Sequence, residues 1–275
     1  MKRGNKFDKI LKEIKSIEIQ GASNIARAGI EAFLLNPDKQ SARKIINTRP
    51  TEPLLQNAIY FLLKSKNPKI TGKRFLKYIH NCQKKIAING ARLIKNNMNI
   101  FTHCHSTNVV NILIYAKKIK KKKFVVYNTE TQPLLQGRKT ARELAKAGIK
   151  VIHLPDLAAE EALRKCDLFL FGADAYLKRK VINKTGTNTL VRIAKEFKIP
   201  CYSCGESLKF TKKIKLEIRN GKEVWDEREK NIQVFNPAFS ELKSKYVTGI
   251  VSEFGVLHYK KFVKLAKNNL KRFLW

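Results

Sequence analysis

Residues 99–128 read NIFTHCHSTNVVNILIYAKKIKKKKFVVYN, and the order of residue types in this stretch decides the fold. A short β-rich run, Asn99–Thr102, gives way to small polar residues, then to apolar residues at helical spacing, then to a second β-rich run, Phe124–Asn128. Parallel strands need a long crossover, and a helix is the usual one, so strand–helix–strand is the unit of a parallel sheet. The pattern continues C-terminally. Strands are predicted at Lys150–Leu154, Leu168–Gly172 and Ile199–Ser203, and helical segments at Thr140–Ala147, Ala158–Lys165 and Thr187–Phe197. This rhythm predicts an α/β fold with a doubly wound, mostly parallel sheet, whose ligands sit where loops converge at the carboxyl ends of the strands.

Upstream the period changes. Phe7, Ile10, Leu11 and Ile14 repeat at the spacing of one helix face, and Gly21 interrupts them. A second helix then runs to about Asn36-Pro37. Arg49-Pro50-Thr51-Glu52-Pro53 marks a turn, after which Leu54, Leu55, Ala58, Ile59, Leu62 and Leu63 form an apolar helical stripe. Thr71 is expected to cap a further helix that buries Phe75, Ile79, Cys82 and Ile86. The expected organisation is an N-terminal helical domain at 1–96 and a sheet domain at 97–275.

Composition narrows the function classes. The 275 residues carry 57 Lys and Arg against 22 Asp and Glu, a formal charge of +35. Such a chain attracts polyanions: nucleic acid, or the phosphates of a small substrate. Lysine is spread along the whole sequence, however, and the densest run, Lys117–Lys123, falls between a helix and a strand with no aromatic platform beside it. A solvated loop is the favoured reading and nucleic acid the lesser one. No run approaches the ~18–20 apolar residues of a membrane span, and the charged N-terminus lacks a signal peptide's apolar core. No membrane association and a cytoplasmic location are therefore expected. The five cysteines have no framework spacing, and Cys201 and Cys204 read as part of a buried strand rather than a metal or redox site.

The strand ends carry the candidate chemistry. After the first strand come His103, Cys104, His105, Ser106, Thr107 and Asn108, at the start of a helix. Small hydroxyl and amide groups at a helix N-terminus suit phosphate, and the helix dipole is expected to favour a Cys104 thiolate, with both histidines able to act on it. Asp174 follows the fourth strand and is placed to give or take a proton. Asn183 and Lys184 precede another helix, and Lys209 lies beyond the fifth strand. Spacing alone leaves an inert buried cysteine and a turn-capping aspartate open. No GxGxxG, Walker loop or GxSxG elbow is present, which excludes the usual modes of NAD and ATP binding and a serine hydrolase.

In their order, IKSIEIQGASNIARAGIEAF, NTRPTEPLLQNAIYF, FTHCHS, NTETQPLLQGRKTARELAKAGI, LFLFGADA, VINKTGTN, CGESLKF, VFNPAF and YVTGIVSEFGV resemble the ribose-1,5-bisphosphate isomerases. Their relatives are 5-methylthioribose-1-phosphate isomerase and the regulatory subunits of translation initiation factor 2B. The resemblance spans nearly the whole chain. It implies a helical N-terminal domain, a Rossmann-like C-terminal domain, and assembly as a dimer or hexamer. It also implies isomerisation of α-D-ribose 1,5-bisphosphate to D-ribulose 1,5-bisphosphate, within salvage of nucleotide ribose, without metal or redox cofactor and open to regulation by a nucleotide effector.

Carried over by residue, the resemblance makes Cys104 the base and Asp174 the acid. It assigns substrate binding to Gly21, Ala22 and Ser23, to Arg49, to Ser106, Thr107 and Asn108, to Asn183 and Lys184, and to Lys209. Three positions depart from the family pattern. Gln20 and Gln132 stand where arginines are usual, and Ser240 where aspartate is common. Both glutamines stay among the expected substrate-binding residues, since an amide keeps a hydrogen bond but loses the bidentate, charge-assisted grip on phosphate. The resemblance also admits two alternatives: a non-enzymatic, nucleotide-binding regulatory subunit, and an isomerase acting on 5-methylthioribose 1-phosphate.

Overall fold

A computed structural model describes residues 3–227 and 229–274. The chain begins with helices α1 (Arg3–Lys15), α2 (Ala22–Leu35), α3 (Lys39–Thr48), α4 (Pro53–Lys64) and α5 (Pro68–Ala91). Their starts follow local chemistry. The Asp38 side chain accepts from the Ser41 N–H to cap α3, and proline opens both α4 and α5, where a missing N–H costs nothing. The expected cap at Thr71 is a correction. Asn67 caps α5 by accepting from the Ile70 N–H at 3.1 Å, because Asn67-Pro68 sets the start one turn earlier. Thr71 lies inside the helix, with its hydroxyl 2.6 Å from that of Ser65. Phe75, Ile79, Cys82 and Ile86 are buried, as the period requires.

The second part alternates as its sequence predicts: β1 (Met98–Thr102), α6 (Thr107–Lys118), β2 (Phe124–Thr129), α7 (Gln136–Lys146), β3 (Lys150–Leu154), α8 (Ala159–Leu163) and β4 (Leu168–Gly172). A hairpin-like pair, β5 (Ala175–Tyr176) and β6 (Lys180–Lys184), precedes α9 (Thr187–Glu196) and β7 (Cys201–Cys204). The chain closes with β8 (Phe239–Lys243), β9 (Gly249–Ser252), β10 (Gly255–Leu257) and α10 (Tyr259–Leu274). A seven-stranded sheet has the order β10-β9-β7-β4-β1-β2-β3, parallel except for β10 against β9. Reversal of direction from β1 puts the switch point between β1 and β4, where this class of sheet opens a crevice.

Both faces of the sheet are covered, which is why its central strands are apolar throughout. Ile100, Leu168 and Leu170 pack with Val109, Leu113 and Leu144 of α6 and α7 and with Ile86 of α5. Phe101, Phe169 and Phe171 face the other way, onto Leu163 of α8, Val191 of α9 and Phe262 of α10. The N-terminal helices bury a core of their own, which Leu208 joins from just past β7. A second sheet, β5-β6-β8, is antiparallel and small. The Lys117–Lys123 run occupies the end of α6 and the loop before β2 and is largely exposed. Among the described residues no helix is long and apolar enough to cross a membrane.

Candidate active site

A cavity of about 960 Å³, counting its open mouth, lies at the carboxyl ends of β1 and β4, beneath the start of α2. It gathers most of the residues singled out in the sequence: Gln20, Gly21, Ala22, Ser23, Arg49, Cys104, Ser106, Thr107, Asn108, Asp174, Asn183, Lys184 and Lys209 all line it. Gln132 does not. Its amide donates to the Glu130 carboxylate at 3.0 Å and its N–H to Asp156 at 2.7 Å, on the exposed side of the loop. Gln132 thus lies outside the cavity lining, where Leu134 and Gln136 take the inward places.

Cys104 sits on the turn between β1 and α6 with φ +66°, a left-handed conformation rare outside glycine. Two threonines hold it there: the Thr131 hydroxyl accepts from its N–H at 3.0 Å, and the Thr140 hydroxyl donates to its carbonyl at 3.1 Å. A strained backbone fixed by neighbours is common where a side chain must be aimed. The expected thiolate is not the resting form. Burial pushes the thiol up to about 12; the Lys184 ammonium partly offsets this, and the Asp174 carboxylate adds to the rise. The helix-start effect that sequence suggested is outweighed by desolvation.

The flanking histidines are also corrected: neither imidazole is hydrogen-bonded to the thiol, and His105 acts on it only through its backbone N–H, which lowers the thiol. His103 spans Thr129 (Nδ1 to Oγ1, 2.6 Å) and the Thr185 carbonyl (Nε2, 3.0 Å), so it donates through Nε2 and accepts at Nδ1. His105 Nδ1 lies 3.1 Å from Thr140 Oγ1, whose own proton goes to the Cys104 carbonyl. Burial lowers both, His105 to about 4, so both are neutral struts of the turn.

Asp174 faces the cysteine's side of the cavity from the end of β4. Burial raises its carboxyl to about 6 against the pull of Lys209, Arg49 and Lys184, with Glu217 adding to the rise. One end of the Asn183 amide lies 3.2 Å from Asp174 Oδ2 and 3.3 Å from the Gly172 carbonyl. Both are acceptors when Asp174 is ionised, so the amide nitrogen is the atom that faces them. Lys209 is anchored by its ammonium, which donates to the Ala173 carbonyl at 2.8 Å and pairs with Glu206 at 3.3 Å.

The charges are unevenly matched. Arg49 is buried between Glu217 (3.3 Å) and Glu52 (3.4 Å), and Arg219 is held by Glu223 at 2.7 Å. Lys184 is also buried, yet it pairs with no carboxylate among the described residues. It therefore offers a positive charge to the cavity beside Cys104. The starts of α2 and α6 add backbone donors. Gly21, with φ +86°, makes the turn into α2 that a side chain would strain, and Ser106 caps α6 by accepting from the Val109 N–H. Ser240 fills the departed aspartate position by accepting from the Asn188 N–H at 3.4 Å, at the start of α9.

Sequence reasoning missed Glu52, Gln136, Glu206 and Arg219 as cavity residues. Glu52 gave one signal: an acidic residue between two prolines, three positions from Arg49, in a turn otherwise read for its arginine.

The chain has relatives in sequence and in fold. The chain matches the Initiation factor 2 subunit family over residues 18–259. It is 33% identical to a ribose 1,5-bisphosphate isomerase of Thermococcus kodakarensis, covering 90% of this chain and 89% of that one. With the ribose 1,5-bisphosphate isomerase of Archaeoglobus fulgidus the identity is 30%, over 89% and 87%. Among solved structures, translation initiation factor eIF-2B of Pyrococcus horikoshii OT3 superposes with a TM-score of 0.84 at 29% identity, over 94% of this chain and 98% of that one.

Proposed function

The chain belongs to the Initiation factor 2 subunit family, and from that premise we propose that it isomerises α-D-ribose 1,5-bisphosphate to D-ribulose 1,5-bisphosphate. One observation carries the reading: Cys104, Asp174 and Lys184, which pairs with no carboxylate among the described residues, line a single cavity together with two helix starts. Lys184 and the donors of α6 hold a phosphate and favour negative charge as it develops. Asp174 gives a proton to the ring oxygen as the ring opens. Cys104 takes the proton from C2 and returns it to C1, and Asp174 recovers the proton of the 2-hydroxyl as the ketone forms. Atoms balance, and both residues end as they began.

The protonation states set a cost. Burial raises both groups, the thiol further than the carboxyl, so the proton the pair shares rests on sulfur and must pass to Asp174 before thiolate and acid coexist.

A second reading, a nucleotide-binding regulatory subunit, is favoured by one observation: Arg49 is engaged by Glu217 and Arg219 by Glu223, and Gln20 is neutral, which weakens the grip on a second phosphate. Incubating the purified protein with ribose 1,5-bisphosphate and, separately, with 5-methylthioribose 1-phosphate, while following ketose formation, separates the readings. The proposal expects turnover of the bisphosphate. Turnover of the monophosphate alone reassigns the substrate, and folded protein inert toward both overturns the enzyme.

A further inference from the structure

Among the described residues, four buried side-chain oxygens have no hydrogen-bond partner: Glu52 Oε2, Asn108 Oδ1, Gln136 Oε1 and Glu206 Oε2. All four residues line the cavity. Unpartnered buried polar atoms are rare and costly, and their concentration in one place marks where a ligand completes the structure. The four are not equivalent. Asn108 and Gln136 can present oxygen or nitrogen by rotating their amides. Glu206 Oε2 lies 3.3 Å from the Lys209 ammonium. Glu52 is different: its Oε1 faces Arg49 at 3.4 Å, while its Oε2 faces no protein donor although the residue is only 2% exposed.

The chemistry of the missing partner can be narrowed. A metal cation is disfavoured by the positive charges of Arg49 and Lys209 on the same side, and no cluster of metal-ligating residues exists among those described. A phosphate dianion only accepts hydrogen bonds, so an ionised Glu52 would repel it. A hydroxyl group donates and accepts, and so satisfies Oε2 whether or not the carboxyl is protonated. Glu52 holds its proton to about pH 8, because burial raises it and Asp174 adds to the rise, with Arg49 and Lys209 opposing and Glu217 reinforcing. A neutral carboxyl of this kind tolerates a phosphorylated ligand nearby.

We propose that Glu52 is a substrate-binding and specificity-determining residue, whose free oxygen takes a sugar hydroxyl that plays no part in the reaction. The inference rests on the isomerase reading and deepens it. The 2-hydroxyl is consumed when the ketone forms and the ring oxygen is released on opening, so the 3-hydroxyl is the group assigned to Glu52. The site thus reads a ribose-type carbon chain at its Arg49 end by hydroxyl recognition as well as by charge.

The test compares ribose 1,5-bisphosphate with its 3-deoxy analogue on wild-type protein and on Glu52→Gln, Glu52→Ala and Glu52→Leu, with thermal unfolding of each as the check on folding. Wild type should prefer the 3-hydroxylated substrate by at least about tenfold in kcat/KM, the loss expected when a buried polar group is left unpaired. Glu52→Gln, which keeps an acceptor and a donor, should retain most of that preference. Glu52→Ala should discriminate by less than about threefold, and Glu52→Leu, closer in size, gives the same reading if the alanine variant does not fold. Wild-type-like discrimination in a folded variant lacking the oxygen overturns the inference alone. Absence of discrimination in wild type overturns it too, whereas wild type inert toward ribose 1,5-bisphosphate overturns the isomerase reading beneath it.

Discussion

Removing the Lys209 ammonium should move the acid limb of the pH–rate profile. Lys209 is the largest of the influences that hold Asp174 down against burial, and the balance leaves the carboxyl at about 6. With a one-proton Cys104–Asp174 pair as the working state, activity is lost as pH falls through about 6, where the pair gains its second proton. A neighbouring opposite charge lowers a carboxyl by about 1–3 pH units. In Lys209→Met the limb should therefore rise to between about 7 and 9, and a limb at 8 would cut kcat/KM at pH 7 about tenfold from this cause alone. The variant also leaves Glu206, 1% exposed, without its partner at 3.3 Å. Breaking a buried pair costs about 3–5 kcal/mol, so denaturation at neutral pH should register it. The assay is kcat/KM from pH 5 to 9 for both proteins, read for the position of the limb rather than its height, since Lys209 also lines the binding cavity. An acid limb that stays put or moves down would refute the electrostatic account of Asp174.

Three further outcomes follow from the geometry. Asp174→Asn removes a carboxylate that raises Cys104, so mass-mapped alkylation of Cys104 by iodoacetamide at pH 9 should be about tenfold faster while isomerisation is lost; slower alkylation would contradict the coupling. Gln20→Arg should lower KM for the bisphosphate by about tenfold, whereas Gln132→Arg should leave it within about twofold, because Gln20 lines the cavity and Gln132 turns away to Glu130. A methyl at Gly172 would lie 2.8 Å from Ser106 Cβ and Oγ, so Gly172→Ala should cost about 1–3 kcal/mol in chemical denaturation and raise KM by disturbing the α6 cap.

The parallel sheet was legible because its strands are continuous apolar runs separated by helical periods: Lys150–Leu154 and Leu168–Gly172 fall on β3 and β4 to the residue. Ile199–Ser203 is displaced from β7 by the start of the run, where Pro200 cannot donate to the ladder. The small sheet was not legible. β5 is two residues long, and β6 pairs with β8 from across the unpatterned stretch 211–238, a contact that no local period encodes. The strand ends marked Cys104 and Asp174 as candidates, and the family resemblance gave them roles and added Gly21 and Arg49, which lie on no strand end. Their protonation could not, because the desolvation that lifts both depends on the three-dimensional packing around them. For the same reason Glu52 went unread: its unpartnered oxygen exists only once α4, Arg49 and the cavity wall are in place.

The central claim is that Cys104 and Asp174 act on a sugar phosphate held in this cavity. The most direct measurement is the rate of ribulose 1,5-bisphosphate formation from ribose 1,5-bisphosphate by wild type, Cys104→Ser and Asp174→Asn, each shown by thermal unfolding to be folded. The account predicts turnover by wild type and a fall of about 10²–10⁴ in kcat in each variant. Wild-type-like rates in either variant, or no turnover by the folded wild-type protein, would contradict it.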